Sequence, residues 1–133
     1  MSYLFDSDLC IGLLHGRDPG LTEKFSRIPV LECLTSVIVE AELWVGVEKR
    51  KASASVKEHL TRFLDRFTVL PVDREVARRY SEIRVDQEAN GLRIGNNDLL
   101  IAATASVHGL VLATRNVREY GRIRGLKLET LES

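Results

Sequence analysis

Cysteine and histidine are scarce in this chain of 133 residues. Cys10 and Cys33 are its only cysteines, and each lies among apolar neighbours without the spacing of metal ligands. We therefore expect buried free thiols rather than a disulfide. The three histidines, His15, His59 and His108, are scattered, and no two of them share a helical spacing. Neither a zinc site nor a histidine-based triad is expected.

Long apolar runs are also missing. No basic stretch near the N-terminus precedes an extended apolar segment, so we expect no signal peptide and no membrane span, and we place the protein in the cytoplasm. No low-complexity tract or solenoid repeat is visible, and the composition is an ordinary 44% hydrophobic and 29% charged. Residues 1–133 are expected to form a single domain with its own core.

An excess of charge is missing too, because the net charge is zero. That balance does not mark a nucleic-acid binder, but the local distribution is uneven. Between residues 111 and 127 a single acidic residue, Glu119, faces five basic ones, which are Arg115, Arg118, Arg122, Arg124 and Lys127. Such a segment can attract phosphates, and a solvated helix end explains it about equally well on charge alone.

Short apolar runs alternate with helical patterns along the whole chain. The predicted strands cover residues 2–5, 30–35, 68–72, 110–113 and 126–128. The predicted helices cover residues 8–15, 21–28, 37–51, 56–67, 74–89, 98–107 and 117–120. This alternation predicts an α/β fold, a three-layer α/β/α sandwich around a central, mainly parallel five-stranded sheet.

Polar residues that cap helices mark several of these boundaries. Ser36 and Asp73 are predicted to cap the helices that follow them. Asn96 or Asn97 is predicted to cap the helix from Asp98, which is apolar on nearly every face and must therefore be central and buried.

Four polar residues stand where a parallel sheet places its sites. Asp6 follows the first predicted strand, and Asn116 follows the fourth. Asp98 lies in the first turn of the buried helix, and Glu42 lies in the helix after the second strand. Since sites in such folds lie at the carboxyl ends of the strands, we expect these side chains to converge on one pocket.

The chemistry of this set favours a hard divalent cation. All of its ligands would be oxygens, which suit Mg²⁺ or Mn²⁺ rather than zinc. Carboxylates around such a cation are typical of phosphodiester cleavage, in which the metal activates water and offsets developing charge.

Each residue alone also has a plainer structural explanation. Asp6 can cap a strand end, and Asp98 can simply favour the helix dipole. Glu42 is harder to explain this way, because it lies among apolar neighbours on a helix expected to pack inward. Glu40 is expected to face solvent.

Four segments, in order, resemble one known family. The chain is similar to the PIN domain, and within it to the VapC-type toxins of toxin–antitoxin modules. Residues 3–6 resemble the family's opening strand and first acidic residue, and residues 36–49 resemble its serine and E-L-x-x-G segment. Residues 94–103 resemble its I-G-x-x-D-x-x-I-A-A segment, and residues 112–120 resemble its T-R-[ND]-x-x-x-[FY] motif.

The resemblance implies a metal-dependent endoribonuclease that forms a homodimer and is inhibited by a cognate VapB-type antitoxin. It also implies that Asp6, Glu42 and Asp98 bind the metal. Asn116 occupies the fourth, commonly acidic position, where it can be a neutral oxygen ligand or orient a water. Asp8 stands where asparagine is common in the family.

Further residues are candidates for supporting roles. Glu119 would replace the missing charge at position 116 if it points inward, and Thr114 is a plausible hydroxyl partner at the strand end. Arg115 and Arg118 flank Asn116 and are expected to border the pocket and contact RNA phosphates. Trp44 is a candidate either for an interface anchor or for part of the core.

Two alternative functions are compatible with parts of the sequence. The D-x-D sequence from Asp6 to Asp8 also resembles haloacid-dehalogenase-type phosphatases, with Asp6 as nucleophile and Asp8 as acid/base. That fold needs a late acidic pair after a strand, whereas Asp98 opens a helix. A catalytically degenerate PIN-fold binding module would not bind metal, and the three intact acidic positions oppose it.

Overall fold

Parallel strands form the centre of the fold, which we describe for residues 1–131 of a computed structural model. The strands are β1 (Tyr3–Phe5), β2 (Cys33–Ser36), β3 (Thr68–Leu70), β4 (Val111–Ala113) and β5 (Leu128–Glu129). They lie in the spatial order β3-β2-β1-β4-β5, and every neighbouring pair is parallel.

Helices flank this sheet throughout residues 1–131. In chain order they are α1 (Ser7–Leu14), α2 (Pro19–Arg27), α3 (Val37–Lys49), α4 (Ala54–Leu64), α5 (Arg74–Ala89), α6 (Asn96–Val107) and α7 (Val117–Tyr120). The predicted α/β fold with a central five-stranded sheet is confirmed, and the sheet is entirely rather than mainly parallel.

The strand order reverses between β1 and β4. From β1 the chain moves outward through β2 to β3, then returns to β4 on the other side of β1 and continues to β5. In open α/β sheets, ligands bind in the crevice at such a reversal, beyond the carboxyl ends of the strands. Asp6 follows β1 and Thr114 follows β4, so both lie at this crevice.

Side-chain caps begin helices where the sequence predicts them. The hydroxyl of Ser36 accepts a hydrogen bond from the backbone N–H of Ile38 at 3.0 Å and starts α3. The carboxylate of Asp73 accepts one from the N–H of Val76 at 2.9 Å and starts α5. Each cap satisfies a donor that the helix itself leaves unpaired.

The start of α6 differs from the prediction. Its N-cap is Gly95, which has no side chain to offer, and neither Asn96 nor Asn97 caps the helix. Asn96 is instead engaged by a neighbouring helix, because its side-chain oxygen accepts a hydrogen bond from the hydroxyl of Tyr80 at 3.2 Å.

The second strand begins later than predicted. Residues 30–32 form a short 3₁₀ turn after Pro29, in which the N–H of Glu32 donates to the carbonyl of Pro29 at 2.8 Å. That local bond uses a backbone donor that a strand would have given to its neighbour, and β2 begins at Cys33.

Helix α6 lies in the core, as its apolar sequence predicts, with Leu99 and residues 101–105 buried. Cys10 and Cys33 are buried free thiols, again as predicted. Within the described part of the chain, we find no helix with the length and apolar character needed to cross a membrane.

Phenylalanine rings form the densest part of the core. The ring of Phe67 lies 5.6 Å from that of Phe5, 5.3 Å from Phe25 and 5.2 Å from Phe63, measured between centroids. Phe5 is the last residue of β1, so this cluster supports the strand that ends at Asp6. Such ring pairs contribute beyond the area that they bury.

This cluster generates a stability prediction. Phe67→Ala should lower the free energy of unfolding by about 3–5 kcal/mol, because it removes the ring that contacts all three others. Phe63→Ala is the matched control; that ring is only partly buried and, among the aromatic rings of residues 1–131, pairs with Phe67 alone, so its loss should cost about 1–2 kcal/mol. Urea denaturation measures both, and equal losses would contradict the central place of Phe67.

Candidate active site

The four predicted polar residues line one cavity at the crevice between β1 and β4. Its volume is about 210 Å³. The lining residues are Asp6, Ser7, Asp8, Glu42, Asp98, Asn116 and Tyr120. Nearly all of these side chains are polar, and four of them are carboxylic acids, so the cavity is strongly acidic.

Asp6 is the most buried of these acids, with 4% of its surface exposed. One carboxylate oxygen accepts the N–H of Leu9 at 3.0 Å and caps α1, and the other accepts the hydroxyl of Thr114. Burial raises the pKa of Asp6 to about 6, and the charges of Asp8 and Asp98 add to that rise. The hydrogen bonds from Thr114 and Leu9 favour the ionised form, so they lower the pKa and partly offset that rise.

Glu42 reaches the cavity from the middle of α3. The hydroxyl of Ser7 donates to its Oε1 at 2.8 Å, which ties α3 to the start of α1. Burial raises the pKa of Glu42 above its usual range, the Ser7 hydrogen bond lowers it, and the charge of Asp98 raises it. The partner that a glutamate at this position requires is therefore Ser7.

Asp98 enters from the first turn of α6. Partial burial raises the pKa of Asp98, the hydroxyl of Tyr120 acts in the opposite direction, and the charge of Glu119 raises it further. Tyr120 is itself buried, and burial together with the charge of Asp98 raises the pKa of its phenol.

Asn116 forms part of the cavity wall and also caps α7. Its Nδ2 donates to Glu119 Oε2 at 3.0 Å, and its Oδ1 accepts the N–H of Glu119 at 3.4 Å. Its own N–H donates to the hydroxyl oxygen of Thr114 at 3.0 Å. Both amide atoms are thus engaged by α7, which orients the side chain at the cavity wall.

The remaining candidates lie at or beyond the rim. Asp8 lines the cavity although it is largely exposed, and Glu119 is half-buried behind Asn116. Arg115 and Arg118 are exposed and are not among the residues that line the cavity, so their place at its border stays a prediction. Arg115 forms an ion pair with Asp18, the N-cap of α2.

Two lining residues had no role in the sequence prediction. Ser7 holds Glu42, and Tyr120 lies against Asp98. A weak signal existed for each, because Ser7 stands between two aspartates and Tyr120 ends the fourth segment. Their partners are distant in sequence, so only the fold reveals the pairing.

The donor set fits a hard divalent cation. The groups that face one another are carboxylates, whose like charges raise one another's pKa, and a divalent cation offsets that repulsion. Among residues 1–131, no three acidic, histidine or cysteine side chains lie close enough together to coordinate one metal ion as they stand. The fit therefore rests on the chemistry of the donors and their shared cavity.

Comparison with known protein families identifies this arrangement. The PIN domain profile matches residues 3–126. This chain belongs to the PIN-domain family. The match covers β1 through α7, so every residue that lines the acidic cavity lies within it. The resemblance stated from the sequence is confirmed, and the haloacid-dehalogenase alternative gains no support.

Individual relatives agree with this assignment. The PIN domain described here is 33% identical over 130 residues to Ribonuclease VapC2 of Rickettsia felis, covering 97% of each chain. It is 30% identical over 129 residues to the tRNA(fMet)-specific endonuclease VapC of Salmonella typhimurium, again covering 97% of each. A solved structure of VapBC2 from Rickettsia felis, bound to a DNA fragment from its promoter, superposes with a TM-score of 0.84 at 32% identity, covering 97% of this chain and 98% of that one.

The raised pKa of Asp6 predicts how stability depends on pH. The folded-state pKa of about 6 lies above the ordinary value of 3.8, so the folded protein binds this proton more tightly than the unfolded chain. The resulting stabilisation is present below about pH 4 and is lost as the pH rises to about 6. Asp6→Asn, which stays neutral, should be more stable than the parent protein by about 1–3 kcal/mol at pH 7 without metal, and no more stable near pH 4.

Thermal melting with chelator at both pH values measures this difference. Asp65→Asn, at an exposed position outside the cavity, is the control and should show no such gain at pH 7. A variant Asp6→Asn that is equally destabilised at both pH values would show that the cap of α1 outweighs the buried charge.

Proposed function

We propose that this protein is a metal-dependent endoribonuclease and the toxin component of a VapBC-type toxin–antitoxin module. The observation that carries the proposal is the acidic cavity at the reversal of strand order, which Asp6, Glu42 and Asp98 line together. Relatives that match nearly the whole chain are named ribonucleases and endonucleases. Its RNA substrate would be cut at phosphodiester bonds, and the protein would act in the cytoplasm as a single domain of residues 1–133.

PIN-domain nucleases of the VapC type generally depend on divalent metal ions. We infer that Asp6, Glu42 and Asp98 hold Mg²⁺ or Mn²⁺ in this protein. When bound, such a cation supplies Lewis acidity, which makes water a stronger acid and offsets negative charge on the phosphodiester.

The chain's own residues prepare this site by fixing its acids. The hydroxyl of Thr114 and the N–H of Leu9 occupy one lone pair on each oxygen of Asp6, which fixes the plane of its carboxylate. Ser7 orients Glu42 from the neighbouring helix in the same way. Preorganised groups of this kind do not have to rearrange during the reaction.

A second cavity supports the antitoxin partner. It is an apolar groove of about 450 Å³ between α1, α3 and α4, with Ile11, Leu43 and Leu60 in its walls. Glu42 lines both this groove and the acidic cavity. An apolar segment of a VapB-type antitoxin fits such a groove, and the neighbouring solved structures are VapBC complexes.

A homodimer is the second association that we propose. Trp44 is half-buried, packs against the subunit's own core, and donates from Nε1 to Glu40 Oε2 at 3.2 Å. Glu40 is thus bonded rather than merely solvated. Val37 and Val45 on the same helix are 40% and 50% exposed, and they are the apolar side chains on α3 that remain for a partner subunit.

Metal dependence is the decisive test of this function. The protein should cleave single-stranded or loop RNA with Mg²⁺ or Mn²⁺ and not with excess chelator. Asp6→Asn should lower the cleavage rate at least a hundredfold while the protein stays folded, because it removes a metal-binding carboxylate. The melting temperature of the parent protein should rise with added metal, and that of Asp6→Asn should rise less.

Sequencing of RNA ends after brief induction in cells would identify the substrate and the cut site. Glu58→Gln, an exposed change on α4, is the control for a lost negative charge and should keep full activity. Full cleavage of RNA in excess chelator would rule the proposed mechanism out.

The basic segment after β4 gives a separate prediction about RNA binding. Replacing both Arg115 and Arg118 by glutamine should weaken RNA binding and lower the slope of log K against log salt by about 1–2, since each contact with a phosphate contributes about 0.7. Metal affinity should not change, because neither side chain lines the cavity. An unaltered salt slope in the double variant would show that these arginines lie outside the RNA path and that Arg115 serves only its ion pair with Asp18.

A further inference from the structure

The apolar groove between α1, α3 and α4 carries opposite charges at the two ends of its α3 wall. Glu42, Gly46 and Arg50 all line it, and their spacing of four residues places them in one row along the helix. The helix rises about 12 Å between the first and the last of them. On this wall the groove therefore begins at a carboxylate and ends at a guanidinium.

Two histidines lie at the same end of the groove as Arg50. His15 is the C-cap of α1, and Nε2 of His59 on α4 lies 3.4 Å from the carbonyl oxygen of Leu14. Burial lowers the pKa of His15, and the charges of Arg17, Arg50 and His59 lower it further. All three of these neighbours are basic, so the local potential at this end is positive.

Arg50 has no carboxylate partner within residues 1–131, because it takes part in none of the ion pairs found there. The nearest acidic residue in sequence, Glu48, pairs instead with Lys57 of α4 at 3.7 Å. The guanidinium at the end of the groove is therefore available to an acidic group from outside the subunit.

Gly46 stands in the middle of the row. It lies inside α3 without a positive φ, and at such a position glycine makes a helix less stable than alanine does. A Cβ added here would meet no atom within 4 Å, so packing inside the subunit does not require glycine. Its missing side chain leaves the backbone of α3 bare in the groove wall, where another segment can approach closely.

The walls of the groove favour a helix as its occupant. All of the lining residues belong to α1, α3, α4 or their C-caps, and the backbone groups of helices are already paired internally. An extended segment would find few partners there for its own N–H and C=O groups. A helix pairs its own backbone and can place apolar side chains, spaced by three and four residues, against Leu43, Val47 and Leu60.

We propose that the groove binds an amphipathic antitoxin helix that carries a carboxylate beside Arg50 and passes close to Gly46. Pairing of that carboxylate with Arg50 sets the direction of the helix along α3, so that its other end points toward Glu42. A charge at the edge of an apolar groove contributes to specificity, because a basic residue at the same place is repelled. The inference rests on the proposed toxin–antitoxin function and names the chemistry of the partner.

A displayed library of helical segments tests the carboxylate. Its members are about four helical turns long, with leucine at i, i+3, i+4 and i+7 and random residues elsewhere. Selection on the full-length protein should enrich Asp and Glu over Lys and Arg about tenfold at one terminal position, and selection on Arg50→Glu should reverse that preference. Lys49→Glu is the matched control, since Lys49 is an exposed neighbour outside the groove, and it should keep the parent preference.

Binding of one selected segment tests the close approach at Gly46. Gly46→Ala should raise the melting temperature of the free protein by a few degrees, because alanine is the better helix former. It should nevertheless raise the dissociation constant of the segment about tenfold, because the added methyl group lies where the segment packs. Gly12→Ala in α1 is the matched control. A Cβ at Gly12 also meets no atom within 4 Å and Gly12 does not line the groove, so the dissociation constant should stay unchanged.

The outcomes separate this inference from the proposed function. If the parent protein cleaves no RNA with any divalent metal, the ribonuclease function fails whatever binds in the groove. If it cleaves RNA but selection shows no acidic preference, or Arg50→Glu leaves that preference unchanged, the assignment of the groove is refuted and the ribonuclease stands. If Gly46→Ala alters the sedimentation of the protein alone, the groove is a contact between two copies of the chain, which also overturns the proposal.

Discussion

The parallel pairing of β1 with β4 is the constraint on which the rest of the site depends. It places Phe5 opposite Ala113, and the N–H of Asp6 donates to the carbonyl of Ala113 at 3.1 Å. Residues 6 and 114 thereby become neighbours although 108 positions separate them, and the hydroxyl of Thr114 reaches Asp6. The strand order reverses at this pair, where open sheets leave a crevice, and α1, α3, α6 and α7 each bring polar side chains to it.

This arrangement lowers the stability of the fold, because it buries like charges together. The pKa values of Asp6, Glu42 and Asp98 are all raised, with burial as the first cause in each case. Hydrogen bonds from Thr114 and Ser7 recover part of that cost, and the aromatic core beneath β1 supplies stability from elsewhere. The fold thus keeps acids together that would separate if they were free to do so.

Sequence reasoning predicted most of the architecture because local chemistry determines it. Ser36 and Asp73 cap the expected helices, and the uniformly apolar α6 is buried. The position of Asp6 at a strand end and of Asp98 at a helix start was enough to place both at one edge of a parallel sheet.

Where the prediction was wrong or incomplete, a distant contact decided the outcome. Asn96 does not cap α6, since Tyr80 engages its oxygen, and Arg115 forms an ion pair with Asp18. No sequence pattern predicts those pairs. The link between Ser7 and Glu42 was missed for the same reason, because the packing of α1 against α3 creates it.

Glu42 has a consequence for regulation because it is shared by two cavities. A molecule in the apolar groove that binds this carboxylate and a cation in the acidic cavity would draw on the same charge. Binding at one cavity would then lower the affinity of the other by the same factor, since the coupling free energy between two binding equilibria is reciprocal. An inhibitor in the groove and a cation in the acidic cavity would in that case compete for the Glu42 carboxylate. The affinity of the inhibitor would then fall as the divalent ion concentration rises.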